Sequence, residues 1–88
     1  MKYKVKFLGM LLGRDIEKTT VMNFVPTIGM LIFFYARGSQ SFPGLVESVS
    51  YYEKGKFFEV RLDFRYAEKH YSIEEKDIEA IQKLWKTR

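Results

Sequence analysis

The chain has no cysteine. That absence removes disulfides, thiolate metal centres, iron–sulfur clusters and a thiol nucleophile together. Histidine occurs once, as His70, so the usual multi-histidine metal sites are excluded, although a carboxylate-only site is not. Proline occurs twice and glycine six times, and no linker, internal repeat or low-complexity tract is present. No run approaches the ~20 apolar residues of a membrane helix. The longest, from Val25 to Ala36, is interrupted by Pro26, Thr27 and Gly29. No Gly-x-Gly-x-x-Gly, P-loop or Gly-x-Ser-x-Gly element occurs. These absences point to a soluble, cytoplasmic chain with no cofactor.

What is present describes one small domain spanning residues 1–88. Hydrophobic residues make up 47% and charged residues 30%, a globular balance. A chain of this length buries roughly 60–65% of its unfolded surface, so its core is modest but real. Aromatics are plentiful at 17%, and the net charge is +4. The opening Met1–Lys6 followed by Phe7–Gly13 faintly mimics the basic and apolar parts of a signal peptide. It ends in Arg14-Asp15 without a small-x-small cleavage site, and a first strand accounts for it better.

Strand patterns dominate. Lys2, Lys4 and Lys6 alternate with Tyr3, Val5 and Phe7, which predicts a half-buried strand with a lysine face, running to about Leu12. Gly13–Lys18 reads as a polar loop. Thr19–Val25, rich in β-branched residues, predicts a second strand stopped by Pro26, with a bend through Gly29. The apolar run Met30–Tyr35 predicts a strand covered on both faces. Arg37–Ser41 and Pro43-Gly44 read as loop and turn. Leu45–Tyr52 predicts a strand whose broken alternation calls for a β-bulge near Glu47-Ser48. Glu53-Lys54-Gly55-Lys56 predicts a tight hairpin with Gly55 available for positive φ. Phe58, Val60, Leu62, Phe64 and Tyr66 alternate with Glu59, Arg61, Asp63 and Arg65, the clearest strand in the chain. Ala67-Glu68-Lys69 reads as a turn. His70–Ile73 offers a short closing strand, and Ser72-Ile73-Glu74-Glu75 matches a capping box. Ile78, Ile81, Leu84 and Trp85 lie on one helical stripe, with acids at its start and bases at its end, so a helix is predicted from about Glu74 to Lys86.

Five or six short aromatic-rich strands, within about residues 2–73, followed by one helix predict a mainly β small barrel with a C-terminal α-helix. The layout Phe24-Val25-Pro26-Thr27-Ile28-Gly29, an apolar strand, Leu45-Val46-Glu47-Ser48-Val49 and a glycine hairpin into Phe58-Glu59-Val60-Arg61-Leu62 resembles the SH3-like small barrels of bacteria and phages. The resemblance covers residues 19–64. It implies a five-stranded barrel and no particular activity, since such barrels host peptide binding, nucleic-acid binding and assembly.

Chemistry is sparse. A nucleophile needs a base within reach, and His70 lies beside a predicted turn. Glu47, Glu59 and Asp63 could meet across strands, but Arg61 and Arg65 stand ready to pair with them. A non-enzymatic role is therefore expected, in one of two classes. The first is protein interaction, including self-association. Phe33-Phe34-Tyr35, Tyr51-Tyr52 and Phe57-Phe58 are adjacent aromatics, and neighbours on a strand face opposite ways, so one of each set leaves the core. Its candidate residues are Met10, Leu12, Tyr35, Phe42, Tyr51 and Phe57. The second is nucleic-acid binding through Lys2, Lys4, Lys6, Arg37, Lys54 and Lys56, in which cations meet phosphates and aromatics stack on bases. Lysines on an edge strand have a plainer use, which is to block edge-to-edge pairing. Convergence of the lysines beside an exposed aromatic favours the second class; a dry aromatic patch favours the first.

Overall fold

The computed structural model describes residues 1–35, 41–74 and 77, and the backbone of 86–87. It is mostly β: five strands curl into a half-barrel, with one short helix behind the fifth. The strands are β1 (Tyr3–Leu11), β2 (Arg14–Met22), β3 (Leu31–Tyr35), β4 (Ser41–Tyr52) and β5 (Phe57–Asp63). They are followed by α1 (Arg65–His70) and a two-residue β6 (Lys86–Thr87). The sheet order is β3-β4-β5-β1-β2-β6. Neighbouring strands are antiparallel except β1 and β5, which run parallel.

The first hairpin turns earlier than its sequence pattern suggests. Leu12 and Gly13 both have positive φ (49° and 77°), and Leu11 pairs directly with Arg14. This is a two-residue turn of the type whose twist suits a hairpin. Arg14–Lys18 is therefore strand, not loop. Charged side chains on both faces of β2 hide its alternation, because β2 lies beside an open seam: among the described residues it pairs with β1 and β6 but not with β3. Between β2 and β3, Pro26 is buried. Thr27 closes a turn onto Met30 (N–H to carbonyl, 3.1 Å), with Gly29 at φ 92°, a conformation that favours glycine.

The bulge predicted near Glu47-Ser48 is present. Val46 pairs with Leu62 and Ser48 with Arg61, leaving Glu47 unopposed. The Glu53–Lys56 turn is also present, although the positive φ falls on Lys56 (52°).

The core consists of Val5, Phe7, Leu11, Ile16, Phe34, Phe42, Val46, Val60, Leu62, Phe64 and Ala67. Phe64 sits at its centre, with ring centroids 5.6 Å from Phe42 and 6.2 Å from Phe34. A Cβ on Gly9 would lie 2.6 Å from the Phe64 ring, and one on Gly44 would lie 2.8 Å from it. Here the glycines serve as slots. Gly44 accordingly lies inside β4, and Pro43-Gly44 is strand where composition suggested a turn.

Phe64 also ends β5, so the strand does not continue to Tyr66. The Asp63 carboxylate accepts the Arg65 backbone N–H (2.9 Å), and helix-forming Ala67, Glu68 and Lys69 follow as α1, with Ala67 buried. The predicted turn at Ala67–Lys69 is thus helical, and His70 ends the helix rather than opening a strand. Most of the helix predicted over Glu74–Lys86 lies outside the described residues, which include Glu74 and Asp77. The Asp77 carboxylate accepts the Glu74 N–H (2.8 Å), and the Asp77 N–H donates to the Glu74 carbonyl (3.0 Å). Lys86 belongs to β6. No helix among the described residues is long and apolar enough to cross a membrane.

A candidate nucleic-acid interface at the hairpin end

Alternation and register define an outer face of the sheet. Lys4 and Lys6 point outward from β1, while Val5 and Phe7 are buried in the core. β1 lies in the middle of the sheet, between β5 and β2. The lysines therefore do not guard an edge, and that plainer explanation falls away. Because β1 and β5 are parallel, their starts lie side by side. This brings Lys2, which precedes β1, to the same end as the Glu53–Lys56 turn. Five lysines (Lys2, Lys4, Lys6, Lys54 and Lys56) thus gather at one end, against Glu17, Glu53 and Glu59, the last opposite Lys6 in the β1–β5 register.

Aromatics lie among them. Tyr52 and Phe57 face each other across the hairpin, with centroids 5.0 Å apart. Tyr52 is 44% exposed. The Lys6 Nζ sits 6.0 Å from the centre of the Phe57 ring and 3.3 Å from the Glu17 Oε2. A shallow cavity of about 240 Å³ is lined by Lys4, Lys6, Glu17, Thr19 and Phe57. On the inner face of the same end, Phe58 stacks with Tyr51 (4.8 Å) and Tyr3 (5.9 Å). Among the described residues Lys2, Lys4, Lys54 and Lys56 form no ion pair, whereas Lys6 is tied to Glu17.

The opposite end is different. A larger cavity, about 390 Å³, is lined there by Leu8, Met10, Asp15, Glu47 and Arg61, among others. Its carboxylates would repel an anionic ligand. Asp63 holds Arg65 in a forked pair (Nη2 to Oδ2 2.7 Å, Nε to Oδ1 3.0 Å). The hydrogen bonds from Arg65 keep the Asp63 carboxyl below its ordinary range. Between the two ends, Glu59 lies opposite Lys6 in the β1–β5 register and pairs with Arg61 at 3.4 Å. His70 is exposed, its ring 4.4 Å from that of Tyr66. No cluster of three or more His, Asp or Glu suited to a metal ion occurs among the described residues.

The protein-interaction candidates do not converge. Met10 and Leu12 are exposed at the far end, Tyr35 is exposed on β3, and Tyr51 and Phe57 belong to the hairpin end. Phe42 is core, 3% exposed, stacked on Phe34 and Phe64. Arg37 lies outside the described residues. Sequence reasoning passed over Tyr52, although the Tyr51-Tyr52 adjacency already required one of the two to face outward. It also passed over Leu31 and Phe33, hidden in a run that resembled a doubly covered strand. Comparison with protein-family models, curated proteins and solved structures finds no match for this chain.

Proposed function

We propose that this chain is a non-catalytic binding module whose outer face at the hairpin end takes single-stranded nucleic acid. The observation that supports it most is the gathering of Lys2, Lys4, Lys54 and Lys56 around the exposed Tyr52, which packs on the half-buried Phe57. Lysines would meet phosphates, and the rings would offer a stacking surface that accepts any base. Lys6, already paired with Glu17, would orient Phe57 rather than hold a phosphate. The curled half-barrel suits an SH3-like small barrel, a scaffold compatible with this role and with assembly roles.

The test is binding of labelled single-stranded and duplex oligonucleotides by fluorescence anisotropy at two salt concentrations. Three to four phosphate contacts on a single strand predict about a 20- to 50-fold loss of affinity between roughly 50 and 200 mM salt. Single strands are expected to bind more tightly than duplexes, because only they present base faces. Absence of binding at the lower salt overturns the proposal, as does binding with no salt slope.

A further inference from the structure

The edge of the sheet farthest from β2 is β3, whose sole neighbour among the described residues is β4. Its outward side chains are unusually bare: Leu31 is 49% exposed, Phe33 50% and Tyr35 65%. Ile28 and Leu45, 69% and 36% exposed, extend the surface. The backbone agrees. The Val46 N–H donates to the Met30 carbonyl (2.9 Å), so Met30/Val46 is a bonded pair. Alternation then makes Ile32/Gly44 and Phe34/Phe42 the bonded pairs of the β3–β4 ladder. The amide groups of Leu31, Phe33 and Tyr35 therefore point to the open edge, from the same residues whose side chains are bare. Proteins normally blunt such an edge with charge. Here Thr19 to Ala36 contains no Asp, Glu, Lys or Arg, in a chain that is 30% charged.

We propose that a second copy of this chain pairs its own β3 with this edge, antiparallel, about a two-fold axis through Phe33. Two observations favour a second copy over another partner. The segment is self-complementary, because the register that uses all three free residues sets Phe33 against Phe33 and Leu31 against Tyr35 of the second copy. Neither side brings a charge that would be buried unpaired. Edge pairing also sets Leu31, Phe33 and Tyr35 beside their counterparts on one face of the joined sheet, where cross-strand aromatic contacts cover part of their exposed surface. The result is an isologous dimer with a sheet continuous across both copies.

Sedimentation velocity of the full chain across micromolar to hundreds of micromolar tests it. Twice the chain mass is expected at the upper concentrations, and one chain mass for Phe33→Lys, which sets like charges face to face. If circular dichroism shows that variant unfolded, Tyr35→Lys, at a more exposed position, is read in its place. Register is tested separately, since the chain has no native cysteine. In a bonded antiparallel pair the Cα atoms lie about 5.5 Å apart, within the ~4.4–6.8 Å that a disulfide spans. Phe33→Cys should therefore oxidise to a covalent dimer, and Val21→Cys, exposed on β2, should not. A wild-type chain that stays monomeric overturns the proposal. So does a dimer that survives the lysine variant, or equal cross-linking at both cysteines.

Discussion

The hairpin end and the β3 edge are both aromatic and both carry exposed rings, yet the partners proposed for them are of opposite kinds. At the hairpin end the exposed Tyr52 and the half-buried Phe57 stand among five lysines and three glutamates. Along β3, Phe33 and Tyr35 close an uncharged stretch that runs from Thr19 to Ala36 and ends at Arg37, and their backbone groups face the open edge. An aromatic ring beside free cations favours a polyanion, whereas the same ring beside unpaired amides in a neutral stretch favours another strand. Aromatic content alone therefore says little about function. What separates the two surfaces is the charge around the rings and the state of the backbone beneath them.

The comparison can be broken most severely through the core that carries both surfaces. Phe64→Ala is expected to lower stability by about 3–5 kcal/mol, since Phe64 is 1% exposed and its ring fills the space over Gly9 and Gly44. Urea unfolding measures this, and both proposed interactions should fail together. Reversing Lys2, Lys4, Lys54 and Lys56 to Glu separates the surfaces instead. Oligonucleotide affinity should fall ~100-fold or more at low salt, with the sedimentation mass unchanged. A matched change at Lys69, on α1 at the other end, should leave both alone. Gly44→Ala is expected to cost about 1–3 kcal/mol by overpacking against Phe64; a smaller loss would mean that the ring can move aside.

The smallest effect concerns Asp63. Its folded-state pKa is depressed by hydrogen bonds from Arg65. Its contribution is therefore present above the unfolded value near 3.8 and is lost as pH falls through the lower folded value. Asp63→Asn should be less stable than wild type at pH ~5, and the difference should shrink on acidification towards pH ~2. The exposed Arg65 keeps the effect modest. A gap that stays constant with pH would assign Asp63 a purely geometric role at the start of α1.

Much of the local structure could be read from residue order, because alternation is a local property. The lysine face of β1, the apolar face of β5 as far as Leu62, the bulge at Glu47 and the turn at Glu53–Lys56 follow from side chains two residues apart pointing the same way. Alternation also required Phe33-Phe34-Tyr35 to split, although two of the three leave the core where one was expected. The candidate site was legible in part. Five of its lysines were identifiable, but not that they share an end.

What tertiary structure alone decided is neighbour order and its consequences. No local pattern reveals that β1 and β5 run side by side in parallel, which is what brings Lys2 beside Lys54 and Lys56. Nor does one show that β1 is interior and β3 an edge. An apolar run reads the same whether or not a second layer covers it, and that cover is a fact about distant residues. Gly44 looks like a turn residue until Phe64, twenty positions later, takes up the space of its missing Cβ. Pairing across the sheet depends on contacts far apart in sequence, whereas periodicity spans only a few residues, so these features emerged only in the folded chain.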